Sequence, residues 1–295
     1  MAFEIRPLDG PFGAGVLRYQ PGCPIAAAER ERLVRTWAEQ GLLCFRDLRL
    51  EPSDFLALAR LFGTPSPQPL QRAEYRVEGF PELRVLSSRH VDTFGDGKPL
   101  LTGGTWHTDH SHLPDPPWGT LLHALRLPTR GGATCFANLT LAYAGLSVSQ
   151  RAELDGLEAE HRYLSKFSRR RLQALTPAEE RRRSCASHPL VRAHPVTGRP
   201  TLYFNPVRIE TFSGMSEQAS QALLDRLVRH CERPEYVYRH QWRGGDVLLW
   251  DNRQTLHRVE HDYPADELRL MHRTLIGSPE LAESMRRLYQ ETAGG

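Results

Sequence analysis

Four short apolar segments follow one another near the C-terminal end of the chain, at residues 236–242, 247–250, 255–259 and 268–276. Each is too short for a typical helix, rich in β-branched and aromatic residues, and bounded by turn-forming residues, so each reads as a strand. Further strands are expected at 15–19, 42–45, 83–86, 119–127 and 133–136, and a hairpin joins 190–194 to 201–204 around Pro195-Val196-Thr197-Gly198. Helices are expected at 26–40 with Gly41 as C-cap, from Pro52 to a stop at Gly63, at 142–146, 149–157 and 216–231. Many short strands with irregular connections and a few flanking helices fit a mainly β, two-sheet jelly-roll core, the double-stranded β-helix of cupin-like proteins. No linker or internal repeat divides residues 1–295, which are expected to form a single domain.

Three stretches fall outside this pattern. Residues 64–69 read as a proline-rich loop, 90–104 as a Gly-, Asp- and Thr-rich approach, and 165–183 as a basic lid or excursion carrying the densest arginines. Elsewhere 38 Lys and Arg nearly balance 35 Asp and Glu, for a formal charge of +3, which argues against nucleic acid as a partner. Five scattered cysteines without a Cys-x-x-Cys pair argue against a disulfide framework or a zinc knuckle. With no apolar run long enough to span a bilayer, a cytoplasmic location is expected. A homo-oligomer stays open.

The chemistry-bearing residues lie in two distant stretches. His107 and Asp109 in Trp106-His107-Thr108-Asp109 point to one side of an extended segment, and His257 can complete a three-ligand metal site. Alone, so short a motif better suits turn and capping residues, with His257 a satisfied strand histidine. Arg269 and Arg273 share a face of the last predicted strand about 13 Å apart, and two fixed cations on one face invite two anions.

Trp106 to Asp109, Gly131-Gly132-Ala133-Thr134, His188-Pro189-Leu190-Val191-Arg192 with Thr197-Gly198-Arg199, Gly245-Asp246 to Arg253, His257, and Arg269 to Arg273 together resemble the successive motifs of the taurine and 2,4-D dioxygenase family. The resemblance runs from about Phe45 to Gly277 and keeps the family's motif order. It implies a jelly-roll oxygenase that uses Fe(II), 2-oxoglutarate as cosubstrate, and O2. Residue by residue, it implies that His107, Asp109 and His257 bind iron and that Thr134 and Arg269 hold the distal carboxylate of 2-oxoglutarate. It implies further that Arg273 meets an acidic group of the substrate. A dianionic cosubstrate makes a bidentate Arg269 a fitting counter-ion.

The implied reaction hydroxylates a C–H bond of a small organic acid, a carboxylate, sulfonate or sulfate ester, and releases succinate and CO2. Asp109 in the carboxylate position argues against halogenation. The stretch Pro99 to Thr105 lacks the amide side chain that taurine-specific members place there, and His110 and His112 are further candidates for substrate contact. Two alternatives stay open: desaturation or epimerisation on the same scaffold, and a non-enzymatic jelly-roll metal-binding protein.

Overall fold

The computed structural model describes residues 3–67, 75–90, 103–163, 165–167 and 184–293. The larger sheet runs in the order Glu4–Pro7, Ala14–Leu17, Leu42–Phe45, Val247–Asp251, Gly119–Arg126, Leu270–Gly277, Phe80–Ser87 and Arg76–Val77, with Thr64–Ser66 paired to the end of Leu270–Gly277. Its ladders are antiparallel except between Ala14–Leu17 and Leu42–Phe45. A second sheet of Val237–His240, Thr134–Asn138 and Thr255–Val259 faces it, and side chains of the two sheets meet in one cluster. These two facing sheets are the expected jelly-roll.

Period-two alternation decides which side chains face where. Leu42, Cys44, Leu122, Ala124, Leu248, Trp250 and Met271 point between the sheets, where they meet Phe136 and Trp242. Their neighbours Leu43, Phe45, Leu121, Val247, Leu249 and Ile276 point outward, where helices Ala27–Gln40 and Pro52–Arg60 cover them with Leu33, Trp37, Phe55 and Leu56. Strands buried on both faces read as continuous apolar runs, which is why 42–45 and 247–250 are conspicuous in the sequence. Gly41 closes the first helix in the left-handed region at φ 70° and donates to Trp37 O.

Elsewhere the elements differ from expectation. Thr64–Ser66 is a strand rather than loop, because the chain edge there pairs with Leu275 to Gly277, a position that tolerates Pro65. The expected helix at 142–146 starts earlier, as Leu139–Ala144, since the Asn138 side chain caps the Thr140 and Leu141 N–H groups. Its successor is Val148–Leu154, set by a Ser147 and Gln150 capping box. A sheet of Cys185–Pro189, Glu158–Arg162 and Ile209–Phe212 and a C-terminal helix, Pro279–Ala293, have no counterpart in the sequence reading. The expected hairpin is present as Val191–Ala193 with Pro200–Leu202. Most of the approach, residues 91–102, and of the basic lid, residues 168–183, lies outside the described residues, as do residues 68 and 69 of the expected loop.

On the outer face His272 lies opposite His123 in the register, and His123 shares a ring contact with Phe55. Burial, with His123 adding to it, pushes His272 down to about 4 from the ordinary 6.5. A folded-state pKa below the unfolded one stabilises the fold fully above the unfolded value, and that stability drains away as pH falls toward the folded value. The Tm of metal-free protein is therefore expected to fall between pH 6.5 and 4, and to fall less in His272→Leu. Identical pH profiles for the two proteins in thermal melts would refute this role.

Candidate active site

The backbone brings His107 and His257 together. The His107 N–H donates to His257 O at 3.0 Å and the His257 N–H donates back to His107 O at 2.8 Å, an isolated antiparallel bridge at the edge of Thr255–Val259. Their rings stand 4.1 Å apart between centroids. Thr108 points the other way and its hydroxyl donates to Asn252 O, so Asp109 returns to the side of His107. Donor atoms of His107, Asp109 and His257 all lie within 4.8 Å of one another.

The electrostatics suit a divalent cation. Burial pushes Asp109 upward, but the Arg273 guanidinium beside it outweighs this and holds the carboxyl below the usual range. One carboxylate oxygen, Oδ2, accepts from the Thr120 hydroxyl at 2.7 Å, and the other lies 3.6 Å from Arg273 Nη1. Burial lowers both histidines, His257 strongly, so they are neutral and offer lone pairs. His107 Nδ1 lies 2.8 Å from the Thr105 carbonyl, which only an N–H can satisfy, and its Nε2 is left as the donor to a metal. His257 is held by the Trp250 and Phe136 rings, and its buried Nδ1 has no hydrogen-bond partner among the described residues. Two neutral imidazoles and one carboxylate converging on a buried point fit Fe(II), with adjacent positions left open for ligands.

A second group lies beside Trp242. Its indole N–H donates to Thr134 Oγ1 at 2.9 Å, and the Arg269 guanidinium sits 5.9 Å from its ring centroid. Gly131 and Gly132, at φ 72° and 70°, turn the chain so that Gly132 O accepts from Arg269 Nε at 3.3 Å. A side chain on Gly131 would meet Asp262 at 2.6 Å, so the turn is built for glycine. Burial pulls Arg269 down to about 10, and its buried Nη2 has no partner among the described residues. A buried guanidinium with an unused N–H is completed by an anion.

The candidates for substrate contact border His107, Asp109 and His257. Arg273 faces inward beside Asp109, on the same side of its strand as Met271. His110 adopts a left-handed φ of 51° and its ring lies 5.6 Å from that of His112, which in turn lies 5.2 Å from Tyr163. Thus the structure gathers His107, Asp109, His257 and Arg273 in one place, Thr134 and Arg269 in a second, and His110 and His112 along the rim of the first.

Thr120, Trp242 and Asn205 are absent from the sequence-derived set. Asn205 Nδ2 donates to Thr108 O and Ser111 Oγ and so fixes the turn that carries Asp109. Nothing local marks these residues, since their partners are distant in sequence. Thr120 orients the Asp109 carboxylate and itself accepts from Asn252 Nδ2 at 2.9 Å. Thr120→Val is expected to weaken Fe(II) binding by ~10- to 100-fold with little change in fold, a magnitude usual for such supporting contacts. Metal titration beside circular dichroism checks this, and unchanged affinity would count against it.

Asp251 and Arg253, in the same stretch as His257, are scaffold. Arg253 clasps Asp251 through two bonds at 2.8 and 2.6 Å, His194 Nε2 adds a third at 3.0 Å, and Arg253 also lies over the Trp37 ring. Cys44, His240 and Asp246 form another buried group with donor atoms within 4.8 Å. There Asp246 Oδ2 already receives Arg46, His240 and the Arg243 N–H, and burial pushes the Cys44 thiol up to about 12. A buried carboxylate matched by a guanidinium and an imidazole ties this end of the sheet together.

Comparison with known proteins agrees with this geometry. The chain is 30% identical to an (S)-phenoxypropionate/alpha-ketoglutarate-dioxygenase of Sphingobium herbicidovorans, over 94% of this chain and 96% of the relative. It is also 30% identical to an alpha-ketoglutarate-dependent 2,4-dichlorophenoxyacetate dioxygenase of Cupriavidus pinatubonensis, over 88% and 92%. The solved structure of AAD-2 in complex with Mn(II) and N-oxalylglycine superposes with a TM-score of 0.80 at 28% identity, covering 94% of this chain and 98% of that one. A family description, Taurine catabolism dioxygenase TauD, TfdA family, matches residues 4–275, and the chain belongs to that family.

Proposed function

We propose that His107, Asp109 and His257 hold Fe(II), that Thr134 and Arg269 receive the distal carboxylate of 2-oxoglutarate, and that Arg273, with His110 and His112, faces a small organic acid. As a member of its family the chain is a 2-oxoglutarate-dependent dioxygenase, an oxidoreductase that uses Fe(II), 2-oxoglutarate and O2. Bound iron supplies the activation of O2 that couples decarboxylation of 2-oxoglutarate to oxidation of the substrate. The balance is R–H plus O2 plus 2-oxoglutarate giving R–OH, succinate and CO2.

The protein's own side chains supply position and charge. Arg269 offers a fork to one end of the cosubstrate from a site already stripped of water, and Thr134 is steadied by Trp242. Arg273, set against Asp109, places the substrate's acidic group within reach of the metal centre. The apolar residues between the sheets keep the reacting end dry. We read residues 1–295 as one dioxygenase domain.

The observation that carries the reading is the pairing of a convergent His107, Asp109 and His257 set with a buried Arg269 whose Nη2 lacks a partner among the described residues. The substrate class follows from Arg273 and from the acids named for the relatives: an aryloxyalkanoic acid first, with sulfonates and sulfate esters behind it. Anaerobic addition of Fe(II) and 2-oxoglutarate should give a visible charge-transfer band that vanishes in His107→Ala. A panel of these acids, scored by O2-dependent succinate release and product mass, then identifies the substrate. An absent band in intact protein would sink the reading.

A further inference from the structure

The turn after Asp109 and the turn before Ile209–Phe212 are tied into one unit. Asn205 donates through its side chain to Thr108 O and Ser111 Oγ, and its own carbonyl accepts from the Arg208 N–H at 2.8 Å. Because Glu158–Arg162 pairs with Ile209–Phe212, Tyr163 and Arg208 emerge at the same end of neighbouring strands, and the Arg162 N–H donates to Arg208 O. The Arg208 guanidinium lies over the Tyr163 ring, 4.6 Å from its centroid. Contacts therefore lead from Asp109 through His110, His112 and Tyr163 to a guanidinium other than Arg273.

One polar atom along this line is unused. His112 is 7% exposed and its Nδ1 has no hydrogen-bond partner among the described residues. An apolar substrate end lodged there would leave that nitrogen unsatisfied. A negatively charged oxygen would accept from the imidazole N–H in the field of the guanidinium.

Resting on the proposed Fe(II) and 2-oxoglutarate centre, we propose that the substrate carries a second oxyanion, held by His112 Nδ1–H and Arg208, while Arg273 holds the first. The preferred substrate is then a dianion, such as a dicarboxylate or an acid bearing a sulfonate or phosphate.

The test compares phenoxyacetate with 4-carboxyphenoxyacetate, 4-sulfophenylacetate and 4-phosphonooxyphenylacetate. Each is titrated without oxygen into protein loaded with Fe(II) and 2-oxoglutarate, and binding is read from the shift of the charge-transfer band. At least one dianion should bind ~10-fold or more tightly than the monoanion, as a charge-assisted contact predicts. Arg208→Gln should erase most of that advantage while leaving phenoxyacetate binding within about twofold, and Arg208→Lys, which keeps the charge without the planar fork, should retain part of it. If no dianion outbinds phenoxyacetate, or if Arg208→Gln weakens all four acids alike, the second anion site is overturned. A missing band before any acid is added refutes the metal and cosubstrate reading instead.

Discussion

Asp109→Ala is expected to abolish stoichiometric Fe(II) binding and to lower succinate release by more than ~100-fold, the upper end of what a merely supporting contact delivers. Asp109 is the single carboxylate of the proposed three-residue set, and it is ionised because the Arg273 guanidinium outweighs its burial. Removing it takes away the charge that draws a divalent cation into a site where Arg273 already stands. Asp109→Glu separates charge from geometry, since it keeps the carboxylate but displaces it from the Thr120 hydroxyl. It should recover some metal and little turnover. Metal analysis, succinate assays and circular dichroism settle the matter, and a folded Asp109→Ala protein that still holds one iron would disprove the assignment.

Arg269→Ala should act on the cosubstrate alone. Hydrogen bonds to a charged group contribute about 1.5–3 kcal/mol when formed in such a site, so 2-oxoglutarate should bind ~10- to 150-fold more weakly. Iron binding should be untouched, because Arg269 contacts Gly132 and Trp242 rather than the three ligands. Arg269→Lys keeps the charge without the planar fork and should fall between the two. The reading is the shift in 2-oxoglutarate KM and in the concentration that half-saturates the charge-transfer band. A loss of iron along with the cosubstrate would show that Arg269 supports the whole site rather than one ligand.

How legible these features are depends on the range of the interactions behind them. The strands at 42–45 and 247–250 stand out because both faces are buried and every residue is apolar. Glu158–Arg162 hides because its buried positions are Ala159 and His161 while charged residues fill the rest, so its alternation reads as a polar loop. The C-terminal helix Pro279–Ala293 buries Leu281, Ala282 and Met285, a spacing that follows a helical face but lies beyond the motifs that guide the reading. Within the site, the metal candidates are readable because a motif order carries them. Thr120 and Trp242 are not, since their meaning comes from Asp109 and from Thr134, 108 residues before Trp242. Asp251 and Arg253 stand in a conspicuous motif yet hold the turn to the first helix instead of meeting ligands.

The reciprocal backbone bridge between His107 and His257 bears on how such a centre diversifies. Two imidazoles on one backbone bridge behave as a single preformed unit, fixed by the sheet itself. Asp109 arrives instead on a turn held by Asn205, so it can be exchanged without disturbing the paired imidazoles. The centre is thus modular: a rigid two-nitrogen platform that folding guarantees, and a third position at which new reactivity can be tried at small structural risk.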